Sequence, residues 1–201
     1  MKPFVVTISR EYGSGGRIIG KRLAQQLGID FYDKEIITMA AQESGLPQAT
    51  VQEWAEKKTN SLLYEAYIAA QTKPLSDEIY LAKADVIQKA AEKGSCVIVG
   101  TCSDYVLRDM ERCLRVFIYA PLEERVRRAV KEYGLLQSNV TSYVKKRDKQ
   151  RSGYYNSYAT GNWGDRANYQ LMIDSSIGIS CAVDLLQSAV QNLFRGDISG
   201  E

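Results

Sequence analysis

The sequence predicts an α/β fold with a mostly parallel sheet, and three observations carry that expectation. A β-branched run, Phe4-Val5-Val6-Thr7-Ile8, feeds a glycine turn, Gly13-Ser14-Gly15-Gly16, that opens onto a helical pattern with apolar residues at Ile19, Leu23 and Leu27. Cys96-Val97-Ile98-Val99 is an uninterrupted apolar stretch, typical of a central parallel strand buried on both faces. Strand-like runs alternate with helical ones almost throughout, which calls for right-handed crossovers.

The elements follow in order. Gly28 ends the first helix, and Ile29 to Tyr32 reads as a short second strand. Asp33 stands as the cap of a helix reaching about Glu43 and closed by Gly45-Leu46-Pro47. Thr50 and Glu53 form a capping box for a helix running to about Ala70; this helical stretch suits an acceptor-binding flap or plain helical packing equally. Ser76 caps the next helix, acidic at Asp77 and Glu78, basic at Lys89 and Lys93, stopped by Gly94, with Ile79, Val86, Ile87 and Ala90 as its apolar face. The strand at 96–99 ends in Gly100-Thr101, and the carboxyl end of such a strand is where ligands sit in open α/β sheets. Cys113 to Ala120 is a further strand, Pro121 opens a helix with Glu123 and Glu124 in its first turn, Gln170 to Ile173 is the last strand, and a helix over about Ser180 to Leu193 follows. The stretch 134–169 is too long for a connector. One domain is expected, with a core of 1–32, 76–133 and 170–201, a helical insertion at 33–75 and a lid region at 134–169.

Composition narrows the chemistry. The net charge of +2 implies neither a general nucleic-acid nor a membrane-surface role, so any basic function comes from local clustering. Histidine is absent, which excludes His-based triads and His-ligated metals but leaves phosphoryl transfer, a reaction that rests on positioning and cationic stabilisation. Cys96, Cys102, Cys113 and Cys181 are widely spaced and read as free buried thiols in a reducing, cytoplasmic compartment. No apolar stretch approaches the ~18 residues of a membrane span.

A strand feeding a glycine loop at a helix start presents unpaired amides to one point, which favours a phosphate. From Ser14 to Gly28 there is no Asp or Glu, while Arg17, Lys21 and Arg22 are cationic, the wrong sign for the helix dipole unless an anion is bound. An ordinary βα turn with a tolerable dipole mismatch is the competing account. The pattern G-x-x-x-x-G-K-[ST] is met only in part. With Gly15 as its second glycine, Gly16 stands at the lysine and Arg17 at the hydroxyl; with Gly16, Arg17 and Ile18 take those places. Arg10 or Glu11 occupies the first glycine. The literal match from Gly15 to Lys21 needs Ile18 and Ile19, which the helix buries, and the dinucleotide pattern G-x-G-x-x-G fails at Ile18.

The second basic feature is Lys145-Lys146-Arg147-Asp148-Lys149-Gln150-Arg151, with five positive charges and one negative. On a helix Arg147 and Arg151 are i, i+4 neighbours that repel unless an anion lies between them, which suits a phosphoryl group in transfer; a solvated basic helix is the alternative. Tyr143, Tyr154, Tyr155, Tyr158, Trp163 and Tyr169 interleave with these charges, a composition that could also stack single-stranded nucleic acid.

Ile8-Ser9-Arg10-Glu11-Tyr12-Gly13-Ser14-Gly15-Gly16-Arg17, Phe31-Tyr32-Asp33-Lys34-Glu35, Val97-Ile98-Val99-Gly100 with Asp104-Tyr105, and Arg147-Asp148-Lys149 with Arg151 and Tyr154-Tyr155 together resemble the cytidylate kinase-like family. The resemblance implies a three-layer α/β/α P-loop kinase fold with a five-stranded parallel sheet, a helical acceptor-binding insertion and a lid. It implies ATP as donor, Mg2+ as cofactor, and Arg147 and Arg151 as phosphate clamps. Against authentic cytidylate kinases, the loop lysine and hydroxyl are missing, an expected Tyr-Arg reads Thr38-Met39, and an expected Gly-Arg reads Gly100-Thr101. The candidate site is therefore Arg17, Arg147 and Arg151 as catalytic cations; Gly13, Ser14, Gly15, Gly16, Arg17 and Ile18 for the nucleotide; and Asp33, Gly100 and Thr101 for the acceptor, with no side chain assigned to metal. Three functions follow: a phosphotransferase acting on a nucleoside monophosphate or other small acceptor, a nucleotide-binding sensor without turnover, and a single-strand binder through 143–169. The first involves a small-molecule partner, no membrane and no nucleic acid.

Overall fold

The computed structural model describes residues 2–54, 74–136 and 138–194. Five strands, β1 (Val5–Arg10), β2 (Asp30–Tyr32), β3 (Cys96–Val99), β4 (Cys113–Tyr119) and β5 (Leu171–Asp174), form one sheet in the order β2-β3-β1-β4-β5. Every pairing is parallel, with Val5 beside both Cys96 and Cys113, so β1 sits at the centre of the sheet. Eight helices are present among the described residues: α1 (Gly16–Leu27), α2 (Glu35–Ser44), α3 (Gln48–Trp54), α4 (Leu75–Lys93), α5 (Ser103–Val106), α6 (Leu122–Lys131), α7 (Val140–Tyr158) and α8 (Ile179–Phe194).

The sheet's side chains alternate between two apolar layers. On one face Val6, Ile8, Val97, Val99, Val116 and Ile118 pack on Ile19 and Leu23 of α1 and on Ala182, Val183 and Leu186 of α8. On the other, Val5, Cys96, Ile98 and Cys113 meet Ile36 and Ala40 of α2, Val51 of α3 and the predicted face of α4. The result is three layers, α/β/α. Helices cover both faces, so the central strands carry apolar residues on both sides, as the run at 96–99 indicated.

Several expected boundaries move. Asp33 does not cap α2: the cap position is Lys34, and the Asp33 amide instead donates to Glu35 Oε2 at 3.0 Å. Thr50 lies inside α3, where Pro47 has already started the helix by accepting from the Thr50 and Val51 amides. The extension of that helix to Ala70 falls largely outside the described residues. Ser76 is in the first turn of α4 rather than at its cap, which is Pro74. In both helices proline's fixed φ and free carbonyl do the work assigned to a hydroxyl. Cys96, Cys102 and Cys113 are buried free thiols as expected, whereas Cys181 is exposed on α8. No helix among the described residues is long and apolar enough to cross a membrane.

Candidate active site at the carboxyl end of the sheet

The chain leaves β1 at Arg10 and turns through Gly13 (φ 82°) and Gly15 (φ 83°) into α1. Among the described residues the amides of Gly13, Gly16, Arg17 and Ile18 find no acceptor, and the Ile19 amide donates back to the Gly15 carbonyl at 2.9 Å. Four unspent donors beside two left-handed glycines, at the positive end of α1, are a cradle of the kind that would suit an anion. The hydroxyl of Tyr133 faces the Gly15 amide in the field of Arg128 and Arg151, and burial raises its pKa.

The outer side of the loop is held rigidly. Arg128 Nη1 donates to the Gly13 carbonyl at 2.8 Å, and Ser175 Oγ donates to the Ser14 carbonyl at 2.5 Å. Arg125 lies 3.2 Å from Glu11 and pairs also with Asp148 of α7. Asp148 in turn accepts the Tyr12 amide at 2.6 Å, tying α7 to the loop. Burial raises the Glu11 pKa even though the Ala120 amide and Arg125 oppose it. A Cβ at Gly13 would lie 2.5 Å from the Arg125 carbonyl oxygen, so only glycine fits there.

Beside the loop, at the ends of β1 and β3, is a cleft lined by Arg10, Gly100, Thr101, Arg151, Tyr155 and Trp163 among others. Its floor follows three successive residues of positive φ, Gly100, Thr101 and Cys102, a strained turn that Thr101 Oγ1 supports by donating to the Gly100 carbonyl at 2.7 Å. Arg151 Nη1 donates to the Arg10 carbonyl at 3.1 Å, and its guanidinium lies 5.5 Å from the centre of the Tyr12 ring. Under the cleft Asp104 is buried; it accepts from Ser9 Oγ at 3.2 Å and lies against the Tyr155 hydroxyl. Desolvation raises its pKa, outweighing the hydrogen bonds that favour the charged form.

The structure brings most of the candidate residues to this edge. Gly13 to Ile18 form the cradle, Gly100 and Thr101 the cleft floor, and Arg151 its wall. Arg17 points elsewhere: its Nε is 2.5 Å from Asp33 Oδ2, so two candidate residues neutralise each other. Arg147 donates to Gln150 Oε1 at 2.9 Å. The aromatic residues of the basic segment pack inward. Tyr143 meets Tyr12 edge-on, Tyr158 stacks on Tyr80, and Trp163 and Tyr169 both contact Phe117. Sequence reasoning passed over Arg10, Glu11, Asp104, Arg125, Arg128, Tyr133 and Asp148. The visible signal was that charged residues, Arg10 and Glu11, stand where a loop glycine was sought. Among the described residues no group of three acidic or thiol side chains could hold a metal.

A family model described as the cytidylate kinase-like family matches residues 5–177. Among solved structures, an uncharacterized protein from Eubacterium ventriosum is 26% identical, with 94% of this chain and 98% of that one covered and a TM-score of 0.69. Shikimate kinase from Acinetobacter baumannii in complex with shikimate is 17% identical, covering 99% and 97%, with a TM-score of 0.53. A gluconokinase from Sinorhizobium meliloti is 12% identical, covering 96% and 94%, with a TM-score of 0.58. At those last identities the likeness is one of fold. No curated protein matches the sequence.

Proposed function

The chain belongs to the cytidylate kinase-like family, and from that premise we propose that it moves the terminal phosphoryl group of ATP to a nucleoside monophosphate or another small acceptor. The observation that carries this reading is the cradle of unspent amides at Gly13 and Gly16–Ile18, opening beside a cleft walled by Arg151. The amides would hold the donor phosphates. The cleft over Gly100 and Thr101 would hold the acceptor, and 134–169 would act as the lid that brings Arg147 and Arg151 to the transferring group. Asp104 acts at one remove, fixing Ser9 and Tyr155, which line the cleft.

Among the described residues no magnesium site is built. The loop has no hydroxyl where a metal ligand is wanted, Asp33 is spent on Arg17, and Asp104 is buried against Ser9. The ion would enter on the oxygens of the triphosphate, as part of the substrate. Arg17, paired with Asp33, serves better to join α1 to α2 than to touch phosphate. A nucleotide-binding protein without turnover is the second reading, favoured by the Tyr133 hydroxyl at the Gly15 amide.

The test is ADP release from ATP and Mg2+ with a panel of nucleoside monophosphates. Acceptor-dependent turnover that falls at least about a hundredfold in Arg151→Ala supports transfer. ATP-dependent thermal stabilisation without acceptor-dependent turnover supports the second reading.

A further inference from the structure

We infer that Arg10 is the acceptor-phosphate cation of this site: its side chain fills the space a loop lysine would need and carries the charge to the end of β3, where with Arg151 it grips a phosphate monoester, a role that rests on the phosphotransfer reading. Two glycines are shaped around this one arginine. A Cβ at Gly16, the position of the lysine in one register of the loop pattern, would lie 2.7 Å from Arg10 Cβ and 3.1 Å from its Cγ. No side chain can leave residue 16 past that stem. A Cβ at Gly100 would lie 1.9 Å from Arg10 Nη1 and 2.7 Å from Cζ, so the guanidinium rests directly on the main chain at the mouth of the cleft.

Among the described residues no carboxylate pairs with Arg10, whereas Arg17 pairs with Asp33, Arg125 with Glu11 and Asp148, and Arg128 with Glu132. Arg151 is pinned to the Arg10 carbonyl and lines the same cleft, so two guanidinium groups share one cavity. Such a pair is unfavourable alone and favourable around a phosphate, which each fork can meet with two N–H groups. Relative to a lysine on α1, the charge has moved from the donor side of the loop toward β3. The ligand it suits is therefore the acceptor's phosphate, with Tyr155 and Trp163 beside it for a planar group.

The experiment is calorimetric binding of cytidine monophosphate, and of inorganic phosphate, to the wild-type chain, Arg10→Met and Arg10→Lys, alongside the ATP-induced rise in Tm. Arg10→Met keeps the stem over Gly16 but drops the charge. It should bind cytidine monophosphate at least about tenfold more weakly, with Arg10→Lys recovering most of the loss and the ATP-induced shift preserved in both. If the wild type turns over and Arg10→Met shows an unchanged KM for the acceptor, Arg10 has no such role while the transfer reading stands. If no acceptor draws turnover from the wild type but Arg10→Met still loses phosphate binding, the transfer reading falls and the assignment of Arg10 stands. A wild type that binds neither ligand overturns both.

Discussion

Gly13 and Gly100 both have positive φ and a crowded Cβ position, yet their replacement should fail in different ways. At Gly13 the obstacle is the Arg125 main chain, which cannot step aside. Gly13→Ala should lose about 2 to 5 kcal/mol of stability, read by urea unfolding, and bind no nucleotide once destabilised. At Gly100 the obstacle is the far end of Arg10, which can move. Gly100→Ala should stay folded at a cost of about 1 to 2 kcal/mol but lose acceptor affinity, giving a raised KM with a cooperative melt. Asp104 carries a second residue-scale prediction. Its folded pKa lies above its unfolded one, so in the window just above the ordinary Asp range the native state holds more protons than the unfolded state, and stability falls as pH rises. Asp104→Asn should therefore raise Tm at neutral pH, with the difference vanishing below about pH 3.9, where aspartate is protonated in both states. Part of the slope should persist, because Glu11 is shifted the same way. A melting curve of the variant that parallels the wild type across pH would remove Asp104 as the source. The glycines of the loop could be read from sequence because their chemistry is local. Arg10 could be seen standing where a loop glycine was sought, but its reach to Gly100 could not, because only the pairing of β1 with β3 makes those two neighbours.

At the scale of elements, α7 is attached to the loop by Tyr143, Asp148 and Arg151, and Asp148 is the acid among them. Asp148 accepts the Tyr12 amide and pairs with Arg125, and in the sequence it looks like the lone acid in a run of bases. Removing it as Asp148→Ala leaves the largely buried Arg125 with Glu11 as its one carboxylate among the described residues and strands the Tyr12 amide, which should cost about 2 to 4 kcal/mol. Hydrogen exchange should then rise in α7 and at Tyr12 to Ile18 together. Protection lost across the whole sheet instead would mean that the contact supports the core rather than the joint. The basic run was legible as charge, and its helical spacing was right. What the spacing could not show is that Arg151 faces Arg10 while Arg147 turns to Gln150, since that depends on how α7 lies across the loop. The aromatic residues followed the same logic: interleaved with bases they resemble a stacking surface, but packed on Tyr12, Tyr80 and Phe117 they fasten α7 to the loop and to α4, and the following segment to β4. The strands and most helices were legible because burial on two faces or one imposes its period on the sequence, and the glycine C-caps at Gly28, Gly45 and Gly94 were legible too; the N-caps of α3 and α4 were not, because proline carbonyls replaced the hydroxyls that sequence rules look for.

For the molecule as a whole, β1 at the centre of a parallel sheet sends its carboxyl end into the glycine loop, so a ligand bound there would be tied to the strand both apolar layers share. Binding should then stabilise the entire unit rather than a loop. With ATP at about one hundred times its Kd, linkage gives about 2.7 kcal/mol, or about 5 to 11 °C in Tm for a chain of this size. Tyr133 sets a condition on that gain, because its hydroxyl faces the Gly15 amide that a phosphate would need and stands near Arg128 and Arg151. A hydroxyl so placed would compete with a phosphate for that amide and would have to yield to the nucleotide. Tyr133→Phe keeps the ring's edge-on contact with Tyr12 and removes only that competitor. The free variant should melt slightly lower, by about 0.5 to 1.5 kcal/mol, and its ATP-induced shift at matched concentration should be larger by a similar amount. Scanning calorimetry with and without ATP measures both quantities on the same sample. An unchanged free-state Tm with a smaller ATP shift would mean the opposite arrangement, in which the hydroxyl remains beside the bound phosphate and donates to it.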